Sequence, residues 1–196
     1  MTISILPYAA TQWGNHFRMS EDLPDAPLEL AKEYLNFRLK SDVLSFRLSC
    51  EVMYPYVSGK ILSAISPVHI VAFFGIARIM SDLITAMWDL DSKGVYGRTP
   101  LSLAARNSHK AVVKVLIENG ARMDSVDTEC GQTPLSWAAE NGYKVVVKLL
   151  IENGATVDLV DTLYSQTPLS RAAGNGHEAV VKLLKEIERR KRRRMN

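Results

Sequence analysis

Thr133-Pro134-Leu135-Ser136-Trp137-Ala138-Ala139-Glu140-Asn141-Gly142 decides the fold, because the chain says it more than once. Thr99-Pro-Leu-Ser-Leu-Ala-Ala105 stands 34 residues earlier, Thr167-Pro-Leu-Ser-Arg-Ala-Ala173 stands 34 later, and Ser66-Pro67 opens a more divergent unit 33 residues before Thr99. A second phrase follows each of these: Ala111-Val-Val-Lys-Val-Leu-Ile-Glu-Asn-Gly120 matches Val145-Val-Val-Lys-Leu-Leu-Ile-Glu-Asn-Gly154, with Ala179-Val-Val-Lys-Leu-Leu184 as a shorter echo. Self-similarity at a fixed period of this length means a stacked repeat architecture.

Each slot has a physical reading. A threonine hydroxyl caps a helix by accepting a backbone N–H that would otherwise lack a partner, and proline at the first helical position has no N–H to lose. A short helix is therefore predicted after Thr99, Thr133 and Thr167. Leu101, Ala104 and Ala105 stand at i, i+3 and i+4, so they share a face, and the paired alanines let a neighbouring helix approach closely. Asn141-Gly142 and Asn175-Gly176 tolerate positive φ; they stop the first helix and turn the chain into a second, Val/Leu/Ile-rich one that ends at Gly120 or Gly154. The polar stretches from Asp124 to Gln132 and from Asp158 to Gln166 are predicted to project as hairpin-like fingers.

These residues resemble the ankyrin repeat, with serine at the usual histidine position in three units and His69 keeping that histidine in the first. The resemblance covers about Ser66 to Leu184 and implies an all-α solenoid of helix pairs with hairpin-like loops. Its units fall at 66–98, 99–132, 133–166 and 167–184, between an N-terminal helical segment over 1–65 and a basic tail over 185–196. The first unit diverges, as terminal repeats do, and has Met87 where Gly120 and Gly154 stand. At the other end Val180, Val181, Leu183 and Leu184 repeat the internal pattern without a further unit to cover them. Either the charged helix after Leu184 shields them or the array is truncated, and truncation is the expectation taken here.

Ahead of the repeats, Leu6 to Arg18 reads as a short amphipathic helix and Ser20 to Pro27 as a linker. Two more helices follow, carried by Leu28, Leu30, Ala31, Tyr34 and Leu35 and, after Ser41-Asp42, by Val43, Phe46, Cys50 and Met53. Tyr8-Ala9-Ala10 with Trp13 and His16, then Tyr54-Pro55-Tyr56, Phe73-Phe74-Gly75-Ile76 and the Thr133 to Gly142 unit are similar to the region that joins NTPase and ankyrin array in fungal NACHT–ankyrin proteins, which are NOD-like receptors. That likeness implies the C-terminal portion, or a shortened relative, of a receptor whose array senses a ligand and whose NTPase drives assembly. A P-loop needs a glycine five residues before its Gly-Lys and Ser or Thr after it. Gly59-Lys60 has Tyr54 and Ile61 at those places, so NTP hydrolysis is not expected.

Composition bounds the rest. Of 196 residues, 47% are hydrophobic and 23% charged, too apolar for disorder. The net charge of +3 becomes −3 without the six cations from Arg189 to Arg194, so a nucleic-acid footprint over the body is absent and only the tail offers a polyanion site. Two cysteines, Cys50 and Cys130, exclude a disulfide framework, and no secretory signal is apparent, so an intracellular place is expected, cytoplasmic or, if the tail acts as an import signal, nuclear. The uncharged stretch from Ile61 to Ala77 is at the lower limit for a membrane span, but Ser66-Pro67 sets it in the repeat register, which makes it the first helix of the array. His16, His69, His109 and His177 lack the spacing of a zinc site, and the shared repeat position of His109 and His177 argues for packing or capping.

No catalytic residue, metal or cofactor is expected, nor a small-molecule substrate; the expected partner is another protein. Trp137 lies off the Leu-Ala-Ala face, at a slot holding Ile70, Leu103 and Arg171 in the other units. A slot that admits arginine is not expected to be fully dry, which makes Trp137 and Arg171 interface candidates, against the reading that Trp137 packs on the adjacent helix. Ankyrin partners dock on fingers and first helices, and the resemblance carries that role to Tyr96, Arg98 and Arg106, to Glu129 and Gln132, to Glu140 and Asn141, and to Tyr164 and Gln166. The tail reads by default as a solvated helix end, with Glu186–Arg190 and Glu188–Arg192 in favourable order, and otherwise as an import signal or phosphate patch.

Overall fold

The computed structural model describes residues 65–195, with the side chains of 194 and 195 left aside. The helices predicted between residues 6 and 53, with Cys50, His16 and Gly59-Lys60, lie outside the described residues.

Among the described residues there are eight α-helices and no strand. They come in pairs: α1 Pro67–Phe74 with α2 Ala77–Thr85, α3 Pro100–Arg106 with α4 Lys110–Glu118, α5 Pro134–Glu140 with α6 Lys144–Glu152, and α7 Pro168–Gly174 with α8 Glu178–Met195. First helices stack on first helices and second on second, which gives the two-layered solenoid that the repeat phrase predicts.

The caps form as read. Thr99, Thr133 and Thr167 accept the N–H of Ser102, Ser136 and Ser170 at 3.2, 3.1 and 3.2 Å. In the first unit His69 takes the serine's place: its Nδ1 accepts the Ser66 N–H at 3.1 Å, and its Nε2 lies 3.0 Å from the Ser92 carbonyl. Burial disfavours charge on this ring and lowers its pKa, although the Ser92 carbonyl pulls the other way. Leu101, Ala104, Ala105, Leu135, Ala138 and Ala139 are all fully buried, so the alanine face is the stacking face.

His109 and His177 tie each pair to the one before. Their Nε2 atoms lie 2.8 Å from the carbonyls of Phe73 and Glu140. Each ring sits on a positive-φ glycine of the preceding unit, where a Cβ at Gly142 would come within 2.5 Å of the His177 ring. Packing is thus their role in this fold. The described part of the Ile61 to Ala77 stretch carries the first helix of the stack, α1, buried from Pro67 to Ala72, and no helix among the described residues is long and apolar enough to cross a membrane.

One expectation for the last unit needs correction. The helix α8 runs 18 residues without a break and carries the basic tail as its second half. Val180 and Leu184 are buried, as are their internal counterparts Val146 and Leu150, because they face their own repeat and the preceding one. The uncovered position is Val181, half-buried where Val113 and Val147 are fully buried.

Candidate functional site

The fingers are built around buried aspartates. Asp127 Oδ1 accepts three consecutive N–H groups, from Glu129, Cys130 and Gly131, at 3.0, 2.8 and 3.2 Å, and the Asp127 N–H closes the finger on the Gln132 carbonyl at 3.1 Å. Asp161 repeats the device, accepting the Tyr164 N–H at 2.7 Å and donating to the Gln166 carbonyl at 3.0 Å. Fingers also join side by side, through Thr128 N–H to the Tyr96 carbonyl at 2.8 Å and Thr162 N–H to the Cys130 carbonyl at 2.9 Å. The Cys130 thiol is pushed up by burial and by the carboxylates of Asp127 and Glu129, which favours the thiol over the more nucleophilic thiolate.

The second aspartate oxygen reaches the slot ten residues on. Trp137 Nε1 donates to Asp127 Oδ2 at 2.9 Å, and Arg171 donates through Nε and Nη2 to Asp161 Oδ2 at 2.9 and 2.8 Å. Trp137 is therefore only 7% exposed, as a side chain packed on its neighbours is, while Arg171 at the same slot is half-buried. In the third and fourth units the slot is polar and nearly closed, with a carboxylate in it. Burial opposes the charge of Asp161, but the Tyr164 N–H and the Arg171 guanidinium outweigh it and hold the carboxyl below its usual range.

Around these slots the candidates sort into buried frame and exposed face. Arg98 and Gln132 are buried, which removes them as direct contacts. Arg98 Nη2 donates to Glu129 Oε2 at 2.5 Å, and Gln132 Nε2 donates to Glu140 Oε2. Arg98 also stacks, its Cζ 5.1 Å from the Tyr96 ring and 4.8 Å from Trp137, while Arg106 lies 5.0 Å from the same indole. Glu140, half-buried, takes Arg171 Nη1 at 2.8 Å and so links the third and fourth repeats. Asn141 is exposed but spends its amide on the Trp137 carbonyl at 2.8 Å, as Asn107 and Asn175 do on Leu103 and Arg171, so its first role is to finish a helix. Tyr96, Glu129, Tyr164 and Gln166 are exposed, Tyr164 by 63% with Arg171 beneath its ring at 5.6 Å.

Asp127 and Asp161 are what sequence reasoning missed. Their signal was the shared offset of ten residues to Trp137 and Arg171. Hydrogen bonding, ion pairing and stacking are what this surface offers chemically.

A family model described as ankyrin repeats, in three copies, matches residues 50–127 and 120–192, which together span most of the chain. No curated protein matches it.

Proposed function

Because this chain belongs to the ankyrin-repeat family, whose repeats are protein-interaction modules, we propose that it works by holding another protein on its finger-and-first-helix face, with no chemistry of its own. One observation carries the reading. Tyr96, Arg106, Glu129, Glu140 and Tyr164 are presented on a frame in which buried Arg98 pairs with Glu129, Trp137 with Asp127, and Arg171 with Asp161 and Glu140, so aromatic and charged side chains stand pre-ordered at low entropic cost. The partner complex should weaken at least tenfold in Tyr164→Ser and Arg106→Glu and survive Lys114→Glu and Lys148→Glu, which alter exposed positions on the second helices. Loss through the second-helix variants, with the face variants intact, would place the interface on the other layer and overturn the reading.

The finer reading is that the array senses a ligand for a NOD-like receptor in the cytoplasm, supported by the likeness of the segments quoted above, among which Phe73-Phe74-Gly75-Ile76 forms the junction of α1 and α2. The alternative, a regulatory fragment that contacts an NTPase subunit in trans, predicts that this chain changes the hydrolysis rate of that subunit when added to it. Exposed Arg189 to Arg193 on α8 favour a further reading, in which the tail binds a polyanion or directs nuclear import; it predicts binding that falls steeply with salt.

A further inference from the structure

Equivalent residues at the second and third of the three seams between units carry different charges. Positions 132 and 140, eight apart, are a glutamine and a glutamate that bond to each other, and Glu140 then takes the guanidinium of Arg171. One repeat earlier the same two positions are Arg98 and Arg106, and the slot between the repeats holds Trp137 instead of arginine. Two guanidiniums thus lie within 5.0 Å of one indole. Asp127 offers them little, since its oxygens receive the Trp137 Nε1–H and three backbone N–H groups.

Arg98 has Glu129. Arg106 has no carboxylate within ion-pair distance among the described residues, although it is half-buried. Arg98, 6% exposed, also carries a buried Nε–H that finds no acceptor. An unmet buried donor beside a guanidinium with no carboxylate partner is an unfavourable concentration of positive charge, and an anion held by Arg106 offsets it without having to reach Arg98. At the next seam that anion is a carboxylate, Glu140, bridging its neighbours at hydrogen-bond distance.

We propose that the seam around Arg98, Arg106 and Trp137 receives a carboxylate side chain of an extended acidic partner segment, bound by Arg106. The proposal rests on the protein-binding reading and names the chemistry of the partner. A glutamate or aspartate there restores across the interface the bridge that Glu140 makes within the chain. Arg106 holds its Cζ 5.0 Å from the Trp137 ring, and a guanidinium is a planar fork of donors that can take a carboxylate in two parallel bonds.

The test uses the full chain and three capped twelve-residue peptides, alternating glycine with glutamate, glutamine or phosphoserine. The glutamate peptide should bind at least tenfold tighter than the glutamine one, and its addition should shift the NMR signals of Arg98 Nε–H and Trp137 Nε1–H. Arg106→Gln should abolish the glutamate preference and Arg106→Lys should retain part of it, both with an unchanged unfolding temperature. Equal binding of the glutamate and glutamine peptides overturns the proposal. So does a preference that survives Arg106→Gln and vanishes when Arg189, Arg190, Arg192 and Arg193 are made glutamine, since the tail is then the site. A phosphoserine peptide bound more than tenfold tighter than glutamate, through Arg106, overturns the carboxylate assignment. If the native partner still depends on Tyr164 while none of the peptides engages Arg106, this inference fails and the protein-binding reading stands.

Discussion

Met87 shows what a single residue costs when the repeat phrase is broken. It closes α2 with φ of 60°, its N–H on the Ile84 carbonyl at 2.9 Å, as Gly120 and Gly154 close α4 and α6 on Ile117 and Ile151 at 3.0 Å. A left-handed conformation costs an L-residue roughly 1–2 kcal/mol, and glycine escapes this at an entropic cost of about 0.5–1. The side chain is 90% exposed, so nothing is lost with it. Met87→Gly should therefore raise stability by about 0.5–1 kcal/mol, read from the midpoint of chemical unfolding, and a lowered midpoint would show that Met87 makes contacts not seen here. His69 argues in the pH dimension. Its pKa is lowered by burial, so the unfolded chain takes up the proton first as pH falls below about 6.5. Its contribution is complete above that value and declines as pH drops toward the lower folded value. Between pH 7.5 and 5 the chain should lose more stability than His69→Ser does, serine being the residue that works at this place in the other units.

At the scale of the element, α8 is the instructive case, because it is twice as long as the other second helices and uses its extra length. The aspartates after the second helices form a ladder from unit to unit: Asp91 accepts the Arg122 N–H at 2.8 Å and Asp124 the Thr156 N–H at 3.0 Å. Asp158, the next rung, takes Lys191 at 2.9 Å, so the overhang of α8 returns to fill the place of a following repeat. Ile187 packs on the core from the same overhang. The predicted i, i+4 pairs Glu186–Arg190 and Glu188–Arg192 both form along it. An exposed ion pair is worth about 0–1 kcal/mol, so Lys191→Ala should barely move the global midpoint, while amides from Ile187 onward should exchange faster with solvent. The Lys191 hydrogen bond holds the Asp158 carboxyl below its usual range. The clamp is therefore complete above about pH 4, the ordinary aspartate value, and is lost as pH falls through the lower folded one. Amide exchange that ignores both the substitution and acidification would mean the overhang is held by other contacts. Helix starts and the stacking face were legible in the sequence because Thr-Pro caps and the Leu-Ala-Ala spacing are local patterns. The Asp127–Trp137 and Asp158–Lys191 contacts were not, since a finger or a helix has to fold back before those residues meet.

For the whole molecule the consequence is a gradient of stability along the stack. An internal repeat is held by two interfaces and an end repeat by one, and in a solenoid the interfaces carry much of the stability. The α5 helix is buried from Pro134 to Ala139, whereas α7 buries only Pro168 and Ala172. Ser170 and Ala173 are exposed where Ser136 and Ala139 are not, and Gly176 has open space where Gly142 has the ring of His177. The α8 overhang covers the second-helix layer alone, so the first-helix layer of the last unit is the open one. The middle of the array should be intolerant by comparison: Ala138→Leu, at a fully buried contact between helices, is expected to cost about 1–3 kcal/mol through overpacking, seen as a lower unfolding midpoint. Hydrogen exchange should find amides of Thr167 to Gly174 opening at least tenfold faster than those of Thr133 to Glu140, with α8 between the two because Val180 and Leu184 remain buried. Fusing a consensus repeat with a polar outer face in register after Glu186 should bury Ala173 and Val181 and slow α7 toward the rate of α5. Equal protection of α5 and α7 in the unfused chain, together with no response to the added repeat, would show that this face is already covered in solution, and the gradient would then be a property of the isolated stack alone.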